Sequence, residues 1–372
     1  MKILVINWQD IKNPNGGGAE VHAHEIFKRI VAQGHDVTFF SCEVDGLPNN
    51  EVIDGINIIR SGGRNTFNFT VPSYYTKHFK DINFDIIIDD INKIPFYTPL
   101  YIKKPIVAIS HHFFGYSIFR ETNFIFGLYV YISEFLVNFV YKKVNFAVVS
   151  DSTLSEFINR GFDRSKFSLV YNAFDKEHFP MKVSQKAEFP VITYFGRLKK
   201  YKSVDHLFHS FAALSEKFPT AKLEIIGRGD FRPFLETLSE KLHIKDKVLF
   251  HGFVDDSKKI ELLSRSWVVV NTSMKEGWGI TNIEANACGT PVISANVPGL
   301  RDSVKEGVSG LLYRYADIKD LESKVEQIIS NNSYMINLSK TSIDWADNFS
   351  WEKSTSVMIE LLKKSIKEKL NK

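Results

Sequence analysis

The sequence predicts two doubly wound α/β domains in tandem, and three observations carry that expectation. Short apolar runs recur that are mostly continuous rather than alternating, as strands buried on both faces of a parallel sheet require. Helical patterns with a 3.6 period separate them. The alternation stops at "KEHFPMKVSQKAEFP" (176–190), which has two prolines, mixed charge and no period, and then restarts. At 372 residues the chain also exceeds what one core usually holds, so two to three domains are expected.

In the first half, "KILVIN" (2–7), "DVTFFS" (36–41), "INIIRS" (56–61), "FDIIIDD" (84–90), "PIVAIS" (105–110) and "FAVVS" (146–150) read as strands. Between the first two, Ala19 to Gln33 places Val21, Ala23, Ile26, Phe27, Ile30 and Val31 on one helical face and closes on Gly34. After the linker, "VITYFG" (191–196), "AKLEIIG" (221–227), "KVLFHG" (247–252), "WVVVNT" (267–272) and "TPVISA" (290–295) form the second set. Helices are expected near 203–217, 230–242, 256–264 and 281–288. Residues 342–372 read as one long terminal helix packing through Trp345, Trp351, Met358, Leu361 and Leu362, able to serve either domain. Ligands belong at the carboxyl ends of such sheets.

Composition narrows the classes. Hydrophobic residues at 44% and charged residues at 24% are those of a folded globular chain. A net charge of +4, spread along the chain, gives nucleic-acid binding no support. Only Cys42 and Cys288 are present, so neither a disulfide framework nor a cysteine metal site is expected, which favours a reducing compartment. "MKILVINW" enters a strand at once without a leader pattern, and a cytoplasmic location is the default.

Phenylalanine is unusually common, 31 residues, and much of that excess gathers between residues 113 and 146. Within that stretch Phe124 to Tyr141 carries Glu134 as its single charge and is flanked by Arg120 and Lys142-Lys143. It reads first as one or two core helices and second as a helix docked at a membrane interface; Glu134 argues against a bilayer span.

The chemistry is densest in "KEGWGITNIEANACGTPVIS", Lys275 to Ser294. A strand ends at Thr272, a glycine-bearing loop follows and a helix opens near Ile280, so free backbone N–H groups make an anion site. Glu276 lies before the loop and Glu284 inside the helix, a spacing that suits different parts of one hydroxyl-rich ligand. The plain structural alternatives are a Thr281-to-Glu284 capping box and a solvated loop charge at Glu276.

Near the amino terminus, "NPNGGGAEVHAHEIFKRI" runs three glycines into the first helix, as either a phosphate cradle or a tight turn. The "HAH" of His22 and His24 does not read as a metal pair, because residues two apart leave a helix in different directions. Asp89-Asp90 reads as a strand-end pair and Asp255-Asp256 as a helix start.

These residues bear a resemblance. "EGWGITNIEANACGTPVI" resembles the E-x7-E segment of retaining glycosyltransferases of family 4, and "GGGAEVHAHEIFKRIVAQGHDVTFFS", "YFGRLKKYKSVDHL", "IIGRGD" and "HGFV" look like further family landmarks in the family's order. The resemblance implies the GT-B fold: two Rossmann-like domains facing across a cleft, here 1–175 on the acceptor side and 176–349 on the nucleotide-sugar side. The C-terminal helix, 350–372, would pack back on the first. It implies that Glu276 binds donor-sugar hydroxyls, Glu284 binds the ribose, and the amides of Gly277, Trp278, Gly279 and Ile280 cradle diphosphate and sugar. Arg197 and Lys202 match the basic pair that neutralises the diphosphate, with Gly227, Phe253 and Val254 also on the donor. Lys199 and Lys200 have no counterpart and read as solvated charge; Ser203 stands where the family usually has glycine. From the first domain, Gly18, with Gly17 beside it, would approach a phosphate. His111, or His112 as the alternative, would face the sugar.

The implied activity is retaining, metal-independent transfer of a sugar from a UDP-sugar or GDP-mannose to a saccharide or lipid-linked hydroxyl. No cofactor is implied. The setting would be cell-surface polysaccharide or glycolipid assembly, in the cytoplasm or at the inner face of its membrane, with peripheral contact through 113–146. Oligomeric state, donor and acceptor stay open. A sugar-nucleotide epimerase or hydrolase on the same fold is the alternative within enzymes. A silent binding subunit is disfavoured by Glu276, Glu284, Arg197 and Lys202 occurring together. A dinucleotide-binding oxidoreductase is remote, since its first glycine follows the strand almost directly whereas here Gly16 comes well after Asn7.

Overall fold

A computed structural model describes residues 1–91, 94–120 and 122–371. The chain divides into two compact units, Met1–Asn172 with Trp351–Lys372, and Ala173–Ser350.

The first unit holds β1 (Lys2–Ile6), β2 (Asp36–Ser41), β3 (Asn50–Ile53), β4 (Ile56–Arg60), β5 (Ile86–Ile91), β6 (Ile106–Ser110), β7 (Asn145–Val148) and β8 (Phe167–Leu169). They form one sheet in the order β3-β4-β2-β1-β5-β6-β7-β8. Every neighbour pair is parallel except β3 with β4. That hairpin escapes the sequence reading, although Asp54-Gly55 is a strong two-residue turn signal: both residues sit at positive φ, 49° and 79°. The helices of this stretch are α1 (Gly18–Ala32), α2 (Phe67–Tyr74), α3 (Phe124–Val140) and α4 (Asp151–Asn159). Phe67, Val71 and Phe79 pack against Leu4, Phe40 and Ile87 in one core; Val137, Phe157 and Phe167 pack with Ala108, Phe146 and Val148 in another.

The second unit contains β9 (Val191–Phe195), α5 (Val204–Lys217), β10 (Lys222–Ile226), α6 (Arg232–Lys241), β11 (Val248–Gly252), α7 (Asp256–Arg265) and β12 (Val268–Asn271). It continues with α8 (Ile280–Ala287), β13 (Val292–Ala295), β14 (Gly310–Tyr313), α9 (Ile318–Ile329) and α10 (Asn332–Ala346). Its sheet, β11-β10-β9-β12-β13-β14, is parallel throughout. Asp255 caps α7, accepting from the Lys258 N–H, as a helix start should.

The single terminal helix expected over 342–372 is two helices. Between α10 and α11 (Trp351–Leu370) the chain turns where Phe349 buries its ring against Trp278 and Trp345. α10 stays with the second unit. α11 joins the first, where Ser354 donates to the Tyr171 carbonyl, Asn145 to Ser365, and Arg29 pairs with Glu352. Nor is 176–190 simply a loose linker: the Lys186 ammonium is buried among the Ser264 and Gly289 carbonyls and the Thr290 hydroxyl. Burial draws its pKa down to about 7.

The largest departure is α3. Core burial was the first expectation, yet Phe124, Leu128, Ile132, Phe135, Leu136 and Phe139 are exposed, by 40% to 70%. The buried stripe is Gly127, Val130, Ser133, Glu134 and Val137. Among the described residues no helix is long and apolar enough to cross a membrane.

Candidate active site

In a doubly wound sheet, the loops diverge where strand order reverses, and ligands bind there. In the second unit that point lies between β9 and β12. The loop after β9 carries Arg197 to Ser203; the loop after β12 carries Thr272 to Gly279. The Thr272 hydroxyl donates to the Lys202 carbonyl at 2.8 Å, and the Met274 N–H donates to the Tyr201 carbonyl at 3.0 Å. Across this join Lys202 and Glu276 form an ion pair, with side chains only 14% and 19% exposed. Arg197 is solvent-facing, with one guanidinium nitrogen 3.2 Å from the Tyr201 hydroxyl.

The glycines around the join serve clearance. A Cβ on Gly227 would lie 1.9 Å from the Gly196 carbonyl oxygen, and one on Gly299 would lie 2.1 Å from that of Glu276. Gly227 is thus explained first by backbone packing. Lys199, expected to be solvated, pairs with Asp230 at 2.8 Å in a solvent-exposed bridge between the "GRL" and "GRGD" loops. Ser203 takes the left-handed conformation (φ 49°) suited to the family's glycine, and its hydroxyl contacts that of Tyr315 at 3.0 Å.

α8 opens from Gly279 without a side-chain cap. The Thr281–Glu284 capping box does not form, because Glu284 faces Lys259 of α7 at 3.0 Å. Burial pushes the Glu284 carboxyl up against the pull of Lys259. Burial also works against the Lys259 ammonium, but Glu284 and Asp256 outweigh it and raise its pKa. The start of α8 is locked by Asn282, which donates to the Ser294 and Ser303 hydroxyls and accepts from Asn271. Trp278 is buried against Phe349, which leaves its backbone amide rather than its ring as the part suited to a ligand. Phe253 is 75% exposed with the Arg228 guanidinium 5.1 Å above its ring; Val254 is half-buried beside it in sequence.

In the first unit the order reverses between β1 and β5. Asn7, just past β1, donates to Asp90 of β5 at 2.8 Å, and the other Asp90 oxygen lies 3.1 Å from His111 Nε2. The Thr153 hydroxyl donates to the His111 carbonyl. His22 lies edge-on to His111 at 5.4 Å, while its Nε2 is 3.0 Å from the Val170 carbonyl. Burial and the charge of His111 depress the His22 pKa to about 3, so it is neutral. For His111 burial also favours the neutral ring, but Asp90, with Glu20 behind it, outweighs burial and raises its pKa. His112 is half-buried and packs its ring on Phe114.

The glycine stretch resolves into a turn that ends in a cap. The Gly16 N–H donates to the Asn13 carbonyl, and Glu20 reaches back to accept from the Gly17 N–H at 2.6 Å, one turn into the helix that starts at Gly18. Burial raises the Glu20 carboxyl against that bond. His24 turns away to Asp54 at 2.7 Å. Among the described residues no group of three or more His, Cys, Asp or Glu side chains is placed to hold a metal ion.

Lys259, Asn282, Asp90 and Glu20 were not singled out from sequence as site residues. For Asp90 and Lys259 the partners lie far along the chain, 83 residues between Asp90 and Asn7 and 25 between Lys259 and Glu284, while Glu20 acts as a local cap on Gly17. The pairing of Asp90 with His111 has a measurable consequence. A histidine with a raised folded pKa contributes stability that is full below about 6.5 and is lost as pH rises through the folded value. Melting temperatures across that range are therefore expected to fall with rising pH more steeply for the wild type than for Asp90→Asn. Parallel slopes would show that Asp90 does not hold the imidazolium.

Two family models cover most of the chain. Glycosyltransferase Family 4 matches residues 16–178, and Glycosyl transferases group 1 matches residues 175–345. An uncharacterized glycosyltransferase of Methanocaldococcus jannaschii is 26% identical over 98% of both chains. Among solved structures, a glycosyltransferase from Rickettsia africae superposes with a TM-score of 0.80 at 17% identity over 98% of each chain. An Anabaena protein solved with UDP-glucose gives 0.74 at 19% identity over 98% of this chain and 100% of its own. Two parallel-sheet α/β units with these loops define a glycosyltransferase of the GT-B fold. The chain belongs to glycosyltransferase family 4.

Proposed function

We propose that this enzyme moves a sugar from a UDP-sugar or GDP-mannose to a hydroxyl acceptor with retention of anomeric configuration. One observation carries the reading: the Lys202–Glu276 pair stands at the strand-order reversal of the second sheet, in the loop that leads to the uncapped start of α8. The Anabaena neighbour, solved with UDP and with UDP-glucose, supports a nucleotide-sugar donor.

In this reading the bond from the anomeric carbon to the diphosphate oxygen breaks, and charge grows on the leaving phosphate. Arg197, Lys202 and the amides of Gly277 to Ile280 stabilise that charge more in the transition state than in the ground state. The acceptor oxygen attacks from the face the phosphate leaves and passes its proton to a phosphate oxygen, so no protein base is needed. Glu276 accepts hydrogen bonds from the sugar hydroxyls. Glu284, kept in place by Lys259, accepts from the ribose, and Phe253 offers a ring for the base. On the family resemblance, His111 bonds the donor sugar, with His112 in reserve, and the Gly17–Gly18 turn meets a phosphate. The reading assigns the positive charge at the diphosphate to these groups rather than to a metal. Its setting is cell-surface polysaccharide or glycolipid assembly, on a saccharide or lipid-linked acceptor at the inner face of a membrane.

Thermal unfolding against a panel of UDP- and GDP-sugars tests the donor assignment. A cognate donor at a hundred times its Kd should stabilise the enzyme by about 2.7 kcal/mol. A panel in which none raises the melting temperature would overturn the reading.

A further inference from the structure

α3 is apolar on the outside, while its buried stripe mixes Val130 and Val137 with Gly127, Ser133 and Glu134. Phe124, Leu128, Ile132, Phe135 and Phe139 follow the i, i+4, i+8, i+11, i+15 spacing of one helical face, and that face is the exposed one. The opposite stripe, which packs on the protein, contains Gly127, Ser133 and Glu134. α2 meets the helix at one edge, where Asn68 donates to the Tyr129 hydroxyl at 2.7 Å. A contiguous apolar face of this extent is rare on a soluble surface without an occupant.

The charges around it choose that occupant. Between Phe124 and Tyr141 the one acidic residue is Glu134, and it faces inward. Immediately past the helix, Lys142 and Lys143 are both exposed. An apolar face rich in phenylalanine, free of exposed acid and closed by two lysines, is complementary to the interfacial layer of an anionic bilayer. With 17 residues, α3 would lie in that layer along about 25 Å.

Glu134 links this face to the loop after β6. Its two carboxylate oxygens accept the N–H groups of Phe114 and Gly115, at 2.6 and 2.8 Å, and Phe114 in turn packs on His112. Gly127 lets the 115–119 turn lie close, since a Cβ there would meet Phe119 at 2.7 Å. We propose that α3 docks flat on an anionic membrane surface through its Phe124-to-Phe139 face and, through Glu134, holds the loop that carries His111 and His112. This deepens the membrane-side setting proposed above by naming the surface, the lipid charge and the residue that joins them to the loop.

Co-sedimentation tests it with vesicles of phosphatidylcholine alone or containing about 30% phosphatidylglycerol. The wild type should pellet with the anionic vesicles. Phe135→Ser/Phe139→Ser, both at exposed positions, should weaken partitioning at least about tenfold with an unchanged melting temperature. Lys142→Gln/Lys143→Gln should weaken it about tenfold on anionic vesicles and hardly on neutral ones. Hydrogen exchange at the Phe114 and Gly115 amides should slow on vesicle binding in the wild type but not in Glu134→Gln. A wild type that stays in the supernatant would overturn the proposal. So would binding indifferent to the phenylalanine changes, or a dimer that those changes dissolve, which would give the face to a second copy. Exchange at those amides unaffected by vesicles would overturn the Glu134 link. The vesicle arm needs no donor, so its failure is separable from failure of the sugar-transfer reading.

Discussion

Glu276→Gln is expected to lower turnover by about 100- to 1,000-fold, the usual loss when one fixed transition-state partner is removed. The substitution keeps the side chain's shape and an acceptor oxygen but removes the charge. Its position leaves little freedom to compensate: Lys202 holds the carboxylate, Gly299 leaves room for its carbonyl and for no side chain, and the Thr272 and Met274 bonds fix the loop to the one bearing Lys202. Donor affinity, measured by titration calorimetry, should change far less than turnover, because the diphosphate and ribose contacts are assigned to other residues. Unchanged turnover would contradict the role assigned to Glu276 and place the chemistry elsewhere in the chain.

Asp10→Ala is expected to destabilise the protein by about 3–5 kcal/mol in denaturant unfolding. Asp10 receives two bonds from the fully buried Arg60 guanidinium, at 2.7 and 2.9 Å, and others from the Ser41 hydroxyl and the Lys12 N–H. Burial raises its carboxyl, but Arg60, the Lys12 N–H and the Ser41 hydroxyl together outweigh burial and hold the pKa below its ordinary 3.8. A depressed carboxylate of this kind contributes stability that is present above about 3.8 and is lost as pH falls through the folded value. Removing Asp10 alone leaves Arg60 buried with the Pro48 carbonyl and Glu51. Replacing both, as Asp10→Ala/Arg60→Leu, should recover part of the loss, since the stranded charge goes with its partner. A double variant no better than the single would place the cost in packing and not in charge. The cluster also fixes the chain just ahead of the turn that delivers Gly16 to Gly18.

How far the fold was legible depends on the range of the interaction that sets each element. The long parallel strands announce themselves because burial on both faces writes a continuous apolar run. Strands β3, β8 and β14 are short or at edges, and their runs are too brief to stand out. The terminal helix breaks at Phe349 because that ring has a partner, Trp278, 71 residues away, which no local period reveals. α3 misleads for another reason: its apolarity was read as burial, although hydropathy measures the side chain and not its surroundings. The informative signal is that Gly127, Ser133 and Glu134 share a face with Val130 and Val137, a stripe whose polar groups need partners inside the protein. Within the candidate site, residues whose chemistry is carried by loop motifs, Glu276, Glu284, Arg197 and Lys202, could be picked out. The groups that pair with expected site residues, Lys259 with Glu284 and Asp90 with His111, could not, because sheet topology and helix packing bring them together.

The sharpest test needs no acceptor. Glycosyltransferases hydrolyse their donors slowly when water takes the acceptor's place, and the configuration of the released sugar reports the face of attack. With the nucleotide sugar that most raises the melting temperature, an α-linked donor, proton NMR followed from the first minutes should show the α-anomer before mutarotation. The β-anomer appearing first would contradict retaining transfer by this site.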